Sequence, residues 1–252
     1  MTASLLVRGG TVVSSASASR LDVRIVEGTI AEVGEGLRPA GEPIADADGL
    51  HLLPGILDAH SHMWEAGLAS RPDFRDDTAS AALGGITTII DHPLTPPEIL
   101  TRERLEEKAG LGERTSHVDF ALHGGLSPDH LEDVPAMWDA GATAFKMFTC
   151  ETGCPMAGFP AEADQRRALR AAAAVGAVVL VHAEDQAMLD ENRAAMEADG
   201  RHAARDFPRW RSLEAEVAAV RAILRLAMEE SAMPYFVHCS APDVVDVIAG
   251  AR

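Results

Sequence analysis

The first fifty residues alternate apolar and polar positions over short runs. LLVRGGTVV, residues 5–13, is apolar on both sides of Gly9 and Gly10, and LDVRIVEGTIAEVG, residues 21–34, alternates around Glu27 and Gly28. A period of two marks half-buried strands, and a two-residue break ending in glycine marks a tight hairpin. No helical period appears, so residues 1–53 are expected to form the N-terminal part of a small β-sandwich module. From Pro54 the rhythm changes. Short apolar runs at 55–59, 86–90, 118–122, 143–148, 177–181 and 235–237 alternate with helical patterns at 76–83, 102–111, 131–140, 163–175 and 213–230. Continuous apolar strands, each followed by a helix, predict a parallel sheet buried on both faces, with about six β/α units in residues 54–252.

Composition narrows the classes of function. The chain has 252 residues and a formal charge of −17, from 39 acidic against 22 basic side chains, so a basic nucleic-acid-binding surface is not expected. No stretch has the length and apolarity of a membrane helix, and MTASLLVRGG lacks a basic leader before an apolar block, so a cytoplasmic chain is expected. Cys150, Cys154 and Cys239 are too few and too irregularly spaced for a zinc ribbon and are expected to be free thiols. No glycine-rich phosphate loop follows the first β/α strand.

The chemistry gathers at the ends of the apolar runs. The first ends in Asp58, His60 and His62, the second in Asp91 and His92, the third in His123, the fifth in His182 and the sixth in His238. Side chains two apart share one face of a strand, so His60 and His62 can reach one metal ion, with Asp58 at the same parity to orient them. Taken alone, an H-x-H also fits two histidines in an exposed turn. His182 and His238 follow VVLV and PYFV at matching positions, and four histidines at three strand ends are harder to place in turns. Lys146 lies inside the apolar strand ATAFKMF. A buried lysine must shift its pKa, find a partner or be modified, and a neutral amine beside metal ions can take up carbon dioxide as a carbamate; it could also snorkel at a strand end. Functional groups at the ends of many strands favour a closed barrel over an open sheet with a single switch point.

These residues, in this order, resemble the amidohydrolase superfamily, specifically its cyclic amidohydrolase branch of allantoinases, dihydroorotases and hydantoinases. LLPGILDAHSH is similar to the branch's first barrel strand, AALGGITTIIDHPLTPP to its second, and FKMF, VHAED and FVHCS to strands four, five and six. DHPL, HGGLSPDHL and FKMFTCETGCPMAGFP resemble the allantoinase segments most, with Thr152-Gly153 where that group has Ser-Gly. The resemblance implies a (β/α)8 TIM-barrel fold and two divalent metal ions, zinc by preference. His60 and His62 would hold one ion and His182 and His238 the other, with carboxylated Lys146 bridging them. Asp58, Trp64, Asp91, His92, His123 and Thr152 would orient these ligands or touch substrate. The implied activity is ring opening of a cyclic amide or ureide, allantoin first, with dihydroorotase or hydantoinase activity as the alternatives.

Two departures temper that expectation. Trp64 stands where dihydroorotases carry an arginine, and the loop 63–74 is unusual. The branch also places its last metal-binding aspartate, the general base, after an eighth strand, and no residue of this chain matches it. A fragment of a longer enzyme, or a catalytically silent metal-binding subunit, is therefore a further expectation. Six strands with two open edges would also favour a homo-oligomer.

Overall fold

The computed structural model describes residues 4–65 and 73–251, so most of the unusual loop at 63–74 lies outside the described residues. The chain forms two compact units, residues 1–56 and 57–252.

The first unit is built on β1 (Leu5–Val13). It pairs antiparallel with β2 (Ala18–Val26), which pairs antiparallel with β3 (Thr29–Gly34); β1 also pairs in parallel with β4 (Ile44–Asp46) and β5 (His51–Leu52). The Glu27-Gly28 hairpin is present. Both residues have positive φ, 54° and 77°, as a hairpin turn matched to strand twist requires, and glycine takes that conformation without Cβ strain. Buried Asp22 ties the unit together: its carboxylate accepts from Gly9 N at 2.8 Å and Leu37 N at 2.8 Å. The described strands of this unit lie in one five-stranded sheet, and a second layer facing it is not among the described residues.

The second unit is the β/α series. Its strands are β6 (Ile56–Ser61), β7 (Ile86–Asp91), β8 (Asp119–Leu122), β9 (Gly124–Gly125), β10 (Phe145–Phe148), β11 (Val178–His182) and β12 (Met233–Phe236). The helices are α1 (Phe74–Leu83), α2 (Arg102–Thr115), α3 (Val134–Asp139), α4 (Glu162–Ala174), α5 (Gln186–Ala198), α6 (Phe207–Trp210), α7 (Leu213–Glu230) and α8 (Pro242–Ala249). Strand order follows chain order, β6-β7-β8 and then β9-β10-β11-β12, with β8 and β9 separated by His123 alone. β7 pairs in parallel with β8, and β9 through β12 pair in parallel throughout. An order that never reverses has no switch point. With right-handed crossovers it keeps the helices on one side, which is the progression of a barrel. All six expected strands are present; α5, α6 and α8 lie outside the five helical patterns.

Parity along β10 and β11 sorts core from site. Phe145, Met147, Val179 and Val181 join Leu169 of α4 and Val220, Ile223 and Leu226 of α7 in one large apolar cluster between sheet and helices. Lys146, of opposite parity, pairs in register with Leu180, and Leu180 packs with Ala144 and Val237 in a separate small cluster. The strand that buries Phe145 and Met147 against helices therefore sends Lys146 to the other face. Helix starts are fixed by side chains: Asp73 accepts from Arg75 N and Asp76 N, Asp185 from Met188 N, and Ser212 from Ala215 N.

The segment leaving β10 folds back tightly, with Phe159 N donating to Phe148 O at 2.8 Å. A Cβ on Gly158 would stand 2.3 Å from Cys150 O, a backbone atom that cannot swing aside. Gly158→Ala is expected to lower stability by about 2–3 kcal/mol, read as a lower urea midpoint at unchanged m-value. An unchanged midpoint would show that this approach is not needed.

Candidate metal centre

The ends of β6, β7, β10, β11 and β12 bring most of the candidate residues together. On β6, Asp58 Oδ1 accepts from His60 N at 3.0 Å, and Ser61 Oγ donates to Ile90 O at 3.0 Å, tying the strand end to β7. The His60 and His62 rings are 5.2 Å apart at 78°, and His60 lies 5.5 Å from His238. On the far side the His182 and His238 rings are 4.9 Å apart, with His182 Nδ1 and His238 Nε2 3.2 Å from one another. Two imidazoles bound to one tetrahedral ion at about 2.0–2.1 Å stand with their nitrogens roughly 3.3 Å and their centroids roughly 5 Å apart. Both pairs have this centroid spacing, and the His182 and His238 nitrogens have the matching separation as well. His238 has φ of 42°, a left-handed conformation uncommon for a side-chain-bearing residue and concentrated at functional sites.

Electrostatics favour neutral ligands. Burial pushes His62 and His238 down to about 4 and lowers His60 as well. Lys146, 1% exposed, is pushed down to about 7 by burial. Its charge lowers the pKa of His60, His62, His92, His123 and His238 alike, which places it at the centre of the group. Its Nζ sits 4.8 Å over the Phe148 ring and has no hydrogen-bond or ion-pair partner among the described residues. An amine left half neutral at pH 7 without a carboxylate partner is the form that adds carbon dioxide.

His92 and His123 are buried beside this group. His92 stacks on His60 at 3.9 Å and 16°, and neither of its ring nitrogens has a partner. Nearly parallel stacked rings cannot both aim an in-plane lone pair at one ion, so His92 supports His60 from the side. Thr143 Oγ1 donates its proton to Leu122 O and so accepts from His123 Nδ1 at 2.9 Å, leaving the His123 Nε2 lone pair unpartnered. Thr152 and Trp64 are not brought together. Thr152 lines a cavity of about 670 Å³ with His182, Glu184, Arg211 and His238, whereas Trp64 lines a separate cavity of about 410 Å³ with Asp58 and His62.

Three further residues join the site: Glu184, which the sequence placed after His182 at a strand end without a role, and two that it did not single out, Arg211 and Lys108. Glu184 Oε2 meets His182 Nε2 at 2.6 Å and also pairs with Arg211, which lies against the Trp210 ring. Burial alone would raise Glu184, but the His182 hydrogen bond and the Arg211 charge hold it low. A carboxylate on Nε2–H leaves the His182 Nδ1 lone pair facing His238, the usual support for a metal-binding imidazole. Among the described residues, Cys150, His182 and Glu184 form the one set of three histidine, cysteine or acidic side chains with all ligand atoms within 4.8 Å. Arg211 occupies Glu184, and burial followed by Glu184 pushes the Cys150 thiol up to about 12. That set is therefore a hydrogen-bonded support and not a cation cage. The third addition is Lys108, which is fully buried and paired with Asp91 at 2.8 Å. Leu105, Lys108 and Gly112 are the buried positions of α2, so a lysine at core spacing was the available signal.

The chain is similar to known proteins along its length. No family model matches the chain. An allantoinase of Deinococcus radiodurans is 35% identical over 244 residues, 96% of this chain and 54% of that protein. An allantoinase of Bacillus velezensis is 32% identical over 249 residues, 98% of this chain and 55% of that protein. The L-hydantoinase (dihydropyrimidinase) structure from Arthrobacter aurescens superposes with a TM-score of 0.92 at 30% identity, over 100% of this chain and 56% of that one. The chain thus spans about half the length of the curated relatives it matches. Along nearly its whole length the chain is similar to the corresponding half of allantoinases and of an L-hydantoinase, which are cyclic amide hydrolases.

Proposed function

We propose that the chain carries the metal-binding part of a cyclic amide hydrolase that opens a ring amide or ureide of the allantoin type. The observation that supports this best is the convergence of two histidine pairs on a buried, near-neutral Lys146. His60 and His62 would hold one divalent ion, His182 and His238 the second, and Lys146, as a carbamate, would offer one oxygen to each. Zinc suits imidazole and carboxylate-type donors in tetrahedral geometry. When bound, such a pair supplies a hydroxide of lowered pKa and polarises the carbonyl under attack.

The chain's own residues prepare that site. Carbamate formation joins the Lys146 amine nitrogen to the carbon of carbon dioxide and releases one proton, and the burial that lowers the lysine pKa keeps enough free amine for the step at neutral pH. Glu184 fixes the His182 tautomer, Arg211 balances the Glu184 charge, and His92 holds His60 by stacking. The cavity beside His182 and His238, walled by Phe207, Trp210 and Leu213, has apolar surface for a small ring and Thr152 and Ser240 for its polar edge.

The test is hydrolysis of allantoin, dihydroorotate and hydantoin by a version extended through an eighth strand that bears the general-base aspartate, loaded with zinc and bicarbonate. Ring opening, fastest for allantoin, is expected. Two bound zinc ions without turnover of any of the three would overturn the hydrolase reading and leave a metal-binding scaffold.

A further inference from the structure

The turn that carries the chain away from His62 is held by a buried network that the proposed chemistry does not use. Met63 follows His62 directly, and both of its backbone polar groups are fixed by side chains from elsewhere in the chain. Its N–H donates to Asp91 Oδ1 at 2.7 Å. Its carbonyl accepts from Lys108 Nζ at 2.8 Å and from Thr95 Oγ1 at 3.1 Å. Lys108 Nζ also donates to Thr95 Oγ1 at 2.6 Å and forms an ion pair with Asp91 Oδ2 at 2.8 Å. Lys108, Asp91 and Thr95 are all 0% exposed. One helical turn earlier on α2, Arg104 pairs with Glu65 of the same turn, so two side chains on one face of the helix grip it.

A buried ion pair is an expensive way to gain stability, because the desolvation of both charges offsets most of their attraction. What this one does gain is geometric. The Met63 N–H lies in the peptide after His62 and its C=O in the next one, so two consecutive peptide planes beyond His62 are fixed. The direction of the His62 imidazole follows from them.

We propose that Lys108 is a positioning residue for His62, aiming that imidazole at its metal by clamping the Met63 peptide against Asp91 and Thr95. This rests on the two-metal reading above. It assigns Lys108 no contact with substrate or ion.

The experiment is a cobalt(II) titration of the full chain, followed by the visible absorption of the bound ion, with urea unfolding measured in parallel. The band of the ion near His62 is identified by its loss in His62→Ala. Three variants are compared with wild type: Thr95→Val, which keeps the ion pair; Lys108→Met; and Lys108→Met combined with Asp91→Leu, which replaces the pair by apolar groups. The expected result is a 10–100-fold weaker affinity at the His62 ion in all three, the usual scale for losing a group that orients a ligand, with the His182 ion unchanged. The double variant is expected to regain the urea midpoint lost in Lys108→Met but not the cobalt affinity. Should Lys108→Met fail to fold, Thr95→Val carries the same comparison. Wild-type cobalt affinity in Thr95→Val or Lys108→Met, or affinity that returns with stability in the double variant, would overturn the proposal while the two-metal reading stands. A wild-type chain that takes up no cobalt would instead overturn the two-metal reading and this inference with it.

Discussion

Lys146→Met is expected to stabilise the metal-free chain by about 4 kcal/mol at pH 7 while abolishing its capacity to hold a metal pair. The lysine is 1% exposed with no hydrogen-bond or carboxylate partner among the described residues, and burial lowers its folded pKa to about 7 against an ordinary 10.5. Between those two values the unfolded chain binds a proton that the folded chain does not, so wild-type stability rises with pH across that window. The cost is therefore greatest toward pH 7 and fades as pH approaches 10.5. Methionine of similar length removes the titration and fills the same space. Urea unfolding in chelator and without bicarbonate should show a large gap between variant and wild type near pH 7 and almost none above about pH 10. A variant less stable than wild type at neutral pH would mean that Lys146 is paired in the folded chain. Stability given up at one residue for a reactive amine is the trade-off expected of a functional site.

Acid lability is the second large effect. His92 and His123 are 0% and 4% exposed, and burial pushes both down, His123 to about 4. The unfolded chain protonates both through about pH 6.5 while the folded chain keeps them neutral, so stability is lost as pH falls below that value. At about pH 5 each costs roughly 2 kcal/mol, together about 4, a large part of the roughly 5–15 kcal/mol that holds a domain folded. The metal-free chain should unfold near pH 5, and His92→Phe, which keeps the stack on His60, should move that midpoint lower. Circular dichroism during acid titration reads both. A transition confined to pH below 4 and unmoved by His92→Phe would show that these imidazoles accept protons while folded.

The clustering of the candidate histidines was legible in the sequence because strand periodicity places them locally. His60 and His62 share a parity on one strand, and VVLVH and PYFVH repeat one placement on two others. The barrel progression followed from the same alternation of apolar runs and helices. What supports the ligands was not readable, because it depends on pairs distant in sequence. Glu184 meets Arg211 across 27 residues, and Lys108 meets Met63 across 45. Helix α5 escaped for a local reason: within QAMLDENRAAMEA only Leu189 is buried, so its apolar stripe is too thin to show a helical period. His92 could be placed at the site but not assigned a part in it, since its stacking on His60 is set by how β6 and β7 pack.

The account turns on two histidine pairs and Lys146 holding two ions. The most direct measurement is metal content per chain by elemental analysis after loading with zinc and bicarbonate, for wild type, His60→Ala with His62→Ala, His182→Ala with His238→Ala, and Lys146→Ala. Two ions in wild type, at most one in each histidine double variant, and loss of tight binding in Lys146→Ala is the predicted result. Wild type with no zinc, or zinc content that survives these substitutions unchanged, would contradict it.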